Sequence, residues 1–84
     1  MEIQEALHNY IINEGLKGQV PKGFDEDYDL IESGIINSLF MMSLITYLEQ
    51  QHQIEFGIND MVPKHFKTVN TLSAFVQNKL AAIN

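Results

Sequence analysis

The sequence predicts an all-α fold: a bundle of three main helices plus a short third helix, with a long loop between helices one and two. Apolar residues recur at helical spacing in three separate stretches, and most of the glycines and both prolines fall between them. The one stretch that alternates like a strand, residues 54–58, is short. At 84 residues we expect residues 1–84 to form a single domain around one core.

Helix one is predicted over residues 2–14. Its apolar side chains recur at helical spacing, at Ile3, Leu7, Tyr10 and Ile11. Glu2 and Glu5 stand in the first turn, where the helix dipole favours negative charge. Gly15 and Gly18 follow and indicate that the helix ends there.

The loop that follows is predicted to run to about Asn37. Loops longer than about 12–15 residues are usually either functional or disordered. A solvated linker would not carry four large aliphatic side chains, which here are Leu30, Ile31, Ile35 and Ile36. We therefore expect this loop to be ordered.

Helix two begins at Ser38, and its apolar pattern continues to Leu48 before four polar residues. A stripe facing the core is formed by Leu44, Ile45 and Leu48 with either Met41 or Met42. Phe40 and Tyr47 lie on another face of this helix. A helix in so small a domain cannot bury its whole circumference, so we expect some of Phe40, Met41 and Tyr47 to face solvent or a partner.

The last third of the chain predicts a short extended segment, a brief turn and a final helix. Residues 54–58 predict a short extended segment, and Asn59 with Asp60 predicts a cap for a brief turn that Pro63 cuts. Thr68 is the expected cap of the last helix. The apolar side chains of that helix are Val69, Leu72, Phe75, Val76 and Leu80.

Charge and composition exclude several classes of function. Eleven acidic against five basic residues give a net charge of −6, and the chain has no arginine, so a nucleic-acid partner is not expected. Zero cysteine excludes disulfides, thiolate metal sites and a cysteine nucleophile. The N-terminus lacks the charged start and apolar run of a secretory signal, and no segment is long enough to span a membrane. We expect a cytoplasmic monomer.

No metal or nucleotide site is expected either. His8, His52 and His65 share no ligand spacing. Three aspartates at residues 25, 27 and 29 resemble the start of a calcium loop, but Leu30 and Ile36 occupy the positions that require glycine and glutamate. Five of the eleven acids nevertheless fall within residues 25–32, a concentration that would attract a basic partner.

Ser38 is the remaining candidate for chemistry. Its plain interpretation is a helix N-cap, a position where serine is among the commonest residues. A phosphodiester attached to Ser38 would lie at the positive end of the following helix, where unpaired N–H groups stabilise an anion.

Residues 29–39, Asp-Leu-Ile-Glu-Ser-Gly-Ile-Ile-Asn-Ser-Leu, resemble the attachment region of acyl and peptidyl carrier proteins. The resemblance continues through Leu44, Leu48 and Glu49 to the Thr68-Val69 pair and covers most of the chain. It implies an acyl-carrier-like four-helix bundle and a discrete, stand-alone carrier. It also implies that Ser38 receives 4′-phosphopantetheine from coenzyme A, with Asn37 and Leu39 beside the attachment point.

The resemblance implies that the protein is a shuttle and not an enzyme. Its partners would be a phosphopantetheinyl transferase, a loading enzyme (an adenylation enzyme or acyltransferase) and a downstream synthase or tailoring enzyme. Residues 61–69 are similar to discrete carriers of specialised biosynthesis of the polyketide or nonribosomal-peptide type.

Two departures from the family pattern bear on recognition. Asn37 stands where the family usually has aspartate, so an ion pair with a transferase is lost. Carriers of fatty-acid synthesis display acids along helix two, whereas the expected recognition face here is largely apolar: Phe40, Met41, Ser43 and Tyr47. A fatty-acid carrier is therefore less favoured, and a small helical interaction module with an unmodified Ser38 is the alternative from another class.

Overall fold

The computed structural model describes residues 2–83 and confirms the helical bundle. Helix α1 spans Glu2–Tyr10 and continues as a π-helical turn, Ile11–Gly15; the remaining elements are α2 (Ser38–His52), a 3₁₀ turn (Ile58–Asp60), α3 (Pro63–Phe66) and α4 (Val69–Ile83). Within residues 2–83 no strand forms. The three main helices, the short third helix and the long loop before α2 all occur as the sequence predicts.

The core is a single cluster to which every main helix contributes. Its members are Leu7, Ile11, Leu30, Ile36, Leu44, Ile45, Leu48, Ile54, Phe66, Val69, Leu72 and Val76. Each fully buried side chain of this size contributes roughly 1.5–3 kcal/mol of transfer free energy, so burial of this set is the main favourable term in folding. The predicted stripe of α2 is confirmed, and Met41, which packs against the core, is its fourth member.

The loop between α1 and α2 is ordered by burial and by backbone hydrogen bonds. Leu30 is fully buried, and its N–H donates to the Lys67 carbonyl over 2.7 Å. The Ile36 N–H donates to the Leu30 carbonyl over 2.9 Å, and the Asn70 N–H donates to the Glu26 carbonyl over 3.0 Å. The bonds to Lys67 and Asn70 attach the loop to the residue that follows α3 and to the first turn of α4.

The segment after α2 differs from the sequence-based prediction. Residues 54–57 adopt no regular structure, and the brief turn falls at Ile58–Asp60, where the Asp60 carboxylate accepts the Gly57 N–H over 2.8 Å. Pro63 begins α3 instead of ending a turn. The first residue of a helix has no intrahelical partner for its N–H, so a proline is accommodated there without loss of a hydrogen bond.

The predicted cap of the last helix is confirmed. The Thr68 hydroxyl accepts the Thr71 N–H over 3.0 Å, and the Thr71 hydroxyl in turn accepts the Thr68 N–H over 3.0 Å. This reciprocal pair satisfies two backbone donors at a largely buried helix start.

An ion pair attaches the 3₁₀ turn to α4. Lys79 Nζ lies 2.9 Å from Asp60 Oδ2 and also lies over the rings of Phe56 and Phe75, at 5.7 and 5.5 Å from their centroids. The hydrogen bond from the Gly57 N–H, followed by that from Lys79, lowers the pKa of the Asp60 carboxyl below its ordinary value.

The lowered pKa of Asp60 predicts a pH dependence of stability. A depressed carboxyl pKa stabilises the fold fully above the ordinary value of 3.8, and this contribution is lost as the pH falls through the lowered value. We expect the free energies of unfolding of the wild type and of Asp60→Asn to converge below pH 3.8. Urea unfolding at several pH values measures the difference, and curves that stay parallel would contradict the prediction.

Candidate functional site

Ser38 is the first residue of α2, and its neighbour Asn37 is the helix cap. The Asn37 backbone is extended, and its side-chain Oδ1 accepts the Phe40 N–H over 2.9 Å. The expectation that Ser38 itself caps the helix is therefore corrected. Asparagine is as good a cap as serine, and it stands one residue earlier. Ser38 is exposed, and capping does not occupy its hydroxyl.

The start of α2 suits a negatively charged group on Ser38. The Phe40 N–H is bound by the Asn37 side chain and the Met41 N–H donates to the Asn37 carbonyl over 2.8 Å. The N–H groups of Ser38 and Leu39 belong to the helical turn that has no intrahelical acceptor. No acidic residue stands in this turn, so the positive end of the helix dipole is not offset there.

The chain reaches Ser38 through a tight turn at Gly34. Gly34 has a φ of +84°, in the left-handed region that favours glycine, and its N–H donates to the Ile31 carbonyl over 3.0 Å. The next residues bring Ile36 into the core and leave Asn37 and Ser38 at the surface. The buried Ile36 thus fixes where the exposed serine emerges.

An open groove of about 640 Å³ lies beside the site, between the end of the π-helical turn and the start of α2. Asn37, Leu39 and Phe40 line one part of it, and Gly15, Leu16 and Lys17 line another. A group attached to Ser38 would therefore leave the protein beside a groove that is open to solvent.

Three of the four residues expected to meet a partner are half-buried: Phe40, Met41 and Tyr47. Phe40 and Tyr47 are half-buried, because Tyr10 of α1 stacks on both rings, with centroid distances of 5.9 Å to Phe40 and 3.9 Å to Tyr47. Burial, then the nearby Glu14 and Tyr47, raises the pKa of the Tyr10 hydroxyl. The expectation of an exposed aromatic face on α2 is thus wrong for these two rings. Met41 is also half-buried, whereas Ser43 is exposed as expected.

The exposed apolar side chains of α2 are Leu39 and Met42, with 84% and 60% of their surface accessible. They stand three residues apart and therefore share one face of the helix. Leu39 was expected beside the attachment point. The sequence offers Met42 only as an alternative to Met41 in the core stripe. Its position beside the Leu44–Ile45 stripe is the signal that could have indicated its exposure.

The acidic residues of the loop are largely engaged within the chain. Asp29 Oδ1 accepts the backbone N–H groups of Ile31 and Glu32, and Asp25 Oδ1 accepts the N–H of Asp27. A second group of contacts points toward α1 and α4: Asp27 Oδ1 accepts the Asn70 side-chain N–H over 2.7 Å, and Glu26 lies 3.2 Å from His8 Nδ1. The loop acids therefore hold the loop in place as well as contributing negative charge.

The described residues offer neither a metal cluster nor a membrane-spanning helix. Among residues 2–83, no group of three or more histidine, aspartate or glutamate side chains is arranged to hold a metal ion. Within the same range, every helix is too short or too polar to cross a bilayer.

The chain is similar in sequence to an acyl carrier protein and in structure to a peptidyl carrier protein. A probable acyl carrier protein, PigG of a Serratia species, is 29% identical over 75 residues, 89% of this chain and 85% of that protein. The structure of the apo peptidyl carrier protein KstB-PCP superposes with a TM-score of 0.71 at 28% identity, covering 93% of this chain and 88% of that one.

A chain in a crystal structure of an FAD-dependent dehydrogenase superposes with a TM-score of 0.76 at 31% identity, covering 83% of this chain and 97% of that one. No family model matches the chain.

The assignment of the cap predicts different effects for two adjacent substitutions. Asn37→Ala removes the acceptor of the Phe40 N–H and should cost about 1 kcal/mol of unfolding free energy. Ser38→Ala is the matched control and should cost nothing, because alanine is the better helix former and the serine is not the cap. Urea unfolding followed by circular dichroism measures both, and a larger loss for Ser38→Ala would show that the cap is assigned to the wrong residue.

Proposed function

Because the chain belongs to the acyl and peptidyl carrier protein family, we propose that Ser38 carries 4′-phosphopantetheine and that the protein shuttles a biosynthetic intermediate between enzymes. The single observation that carries the proposal is the position of Ser38. It is exposed at the first residue of a 15-residue helix, and Asn37 takes over the capping that would otherwise engage its hydroxyl.

The residues around Ser38 fit such a group. Ser38 Oγ supplies the oxygen of the phosphodiester link, and the unpaired N–H groups of Ser38 and Leu39 stabilise its negative charge. The neutral side chain of Asn37 caps the helix without repelling that charge. When attached, the arm supplies a thiol on which cargo is held as a thioester, which the cysteine-free chain does not itself provide.

The protein has the role of a carrier and its partners perform the chemistry. A phosphopantetheinyl transferase attaches the arm, a loading enzyme adds the cargo, and a downstream synthase or tailoring enzyme receives it. The apolar pair Leu39 and Met42 is the surface that meets these enzymes, together with the exposed Ser43. Phe40, Met41 and Tyr47 support this surface from below, because all three pack against the core.

The apolar pair favours specialised biosynthesis over fatty-acid synthesis. The first turn of α2 carries no acidic residue. Fatty-acid carriers, in contrast, bind their enzymes through acidic residues on helix two. The similarity to the peptidyl carrier KstB-PCP supports the same assignment.

We propose a flavin-dependent dehydrogenase as the tailoring enzyme among these partners, because a chain in the structure of such an enzyme is similar to this one. The chain matched in the dehydrogenase structure is shorter than this one, since the match covers 97% of it and 83% of this chain. A chain of that length has no room for a cofactor domain of its own, so it fits a carrier better than the flavoenzyme itself.

The alternative is a helical interaction module in which Ser38 stays unmodified. The observation that favours it is the exposed Leu39–Met42 pair, which would bind an apolar groove whether or not the serine carries a group.

Intact mass separates these two functions. Purified protein incubated with coenzyme A and a broad-specificity transferase should gain the mass of one phosphopantetheine group, and Ser38→Ala should gain none. Ser33→Ala, which removes another exposed serine, is the matched control and should be modified like the wild type. Because Asn37 replaces the usual aspartate, the incubation is repeated with the native transferase. No gain with either enzyme, or an equal gain on Ser38→Ala, would exclude the carrier function.

The partner surface is tested by introducing a negative charge at Met42. Burying a side chain of this size contributes about 1.5–3 kcal/mol, so Met42→Glu should lower kcat/KM for loading about tenfold or more. Gln51→Glu places the same charge at an exposed position nine residues further along α2, on the face opposite Met42, and should have little effect. Both variants should keep the wild-type melting temperature. Equal loading rates for Met42→Glu and wild type would show that the surface lies elsewhere.

A further inference from the structure

Helix one ends in a π-helical turn, Ile11–Gly15, that brings a glycine against the third residue of α2. A Cβ built on Gly15 would lie 2.9 Å from Phe40 Cζ and 3.0 Å from Phe40 Cε2, closer than real Cβ contacts. The φ of Gly15 lies outside the left-handed region, so the backbone itself would accept alanine. The three atoms nearest to the added Cβ all belong to the Phe40 ring.

Phe40 connects this contact to the modified serine. It stands two residues after Ser38, and its N–H is the group that Asn37 caps. Tyr10 stacks on the Phe40 ring with an interplanar angle of 17° and also donates through its hydroxyl to the Ser43 carbonyl over 3.4 Å. The first turn of α2 is therefore held from the side of helix one by Gly15 and Tyr10.

The contact lies at the edge of the core. Phe40 is half-buried, packs against the core cluster and lines the groove beside Ser38, together with Gly15, Asn37 and Leu39. The fully buried residues of α2 lie one turn or more further on, at Leu44, Ile45 and Leu48. A displaced Phe40 ring would thus act first on the turn that carries Ser38.

We propose that Gly15 is a positioning residue for the modification of Ser38: its missing side chain seats Phe40 against helix one and fixes the turn that presents the serine to the transferase. This inference rests on the proposed function. π-helical turns are rare and are frequently found at functional sites. Here the turn places Gly15 against the Phe40 ring, where a side chain would collide with that ring.

A double-mutant cycle tests the proposal. Gly15→Ala should lower kcat for phosphopantetheine transfer about three- to tenfold, the scale on which contacting residues couple, and leave KM for the carrier nearly unchanged. Phe40→Leu removes the atoms that Cβ would meet. In the Phe40→Leu background, Gly15→Ala should therefore have no effect on kcat and should raise the melting temperature, because alanine is the better helix former.

Gly57→Ala is the matched control. Gly57 also has a φ outside the left-handed region, and the nearest atom to its added Cβ is Asp60 Oδ2 at 3.8 Å, so the substitution should leave transfer unchanged. In ¹⁵N-correlated spectra, Gly15→Ala should shift the amide signals of Ser38 and Leu39, and Gly57→Ala should not.

Two outcomes would overturn the proposal: the same loss of kcat in both Phe40 backgrounds, or a lower melting temperature with kcat unchanged. If the wild type accepts no phosphopantetheine, the proposed function fails on its own account. The amide shifts of Ser38 and Leu39 then decide whether Gly15 fixes the first turn of α2, and unchanged shifts would refute that as well.

Discussion

The fold depends on the burial of Leu30 in the middle of a loop of more than twenty residues. Its side chain is fully buried and its N–H is bound to the Lys67 carbonyl, so the loop is attached to the core near its midpoint. Closing one long loop as two shorter ones makes the path to α2 well defined. Ile36 then sets the last step, and Asn37 and Ser38 emerge at a fixed point of the surface. The Leu30 contact thus fixes the path of the loop, while Tyr10 and Gly15 hold the first turn of α2 against helix one.

Local patterns in the sequence were sufficient for the architecture but not for the assignment of faces. The helical stripe of Leu44, Ile45 and Leu48 and the cap at Thr68 depend on residues close together in the chain, and the structure confirms them. The order in the loop is also confirmed, although the bonds that hold it are made to Lys67 and Asn70. The cap of α2 was assigned one residue too late, because asparagine and serine are equivalent caps and nothing local chooses between them. Pro63 was similarly ambiguous, since proline both ends turns and begins helices.

The exposure of Phe40 and Tyr47 could not be predicted for a different reason. Whether these rings face solvent is decided by Tyr10, which lies thirty residues before Phe40 in the chain, and by the π-helical turn that follows Tyr10. An apolar periodicity shows that a helix has a core face, yet the neighbouring positions depend on what a distant element places beside them. The same holds for the loop acids, where Asp27 binds Asn70 of α4 and Glu26 lies beside His8 of α1.

The position of Ser38 at a helix end, and not within the loop, has a consequence for encounter frequencies. A swinging tether raises the local concentration of its cargo only as far as its anchor is fixed relative to the docked surface. Ser38 is joined to Leu39 and Met42 by one continuous turn of α2, so the proposed anchor and the proposed docking surface move as one body. In the proposed carrier, the reach of the cargo into a partner would then be determined by the length of the arm, and any enzyme that binds this face would meet the cargo at one constant depth.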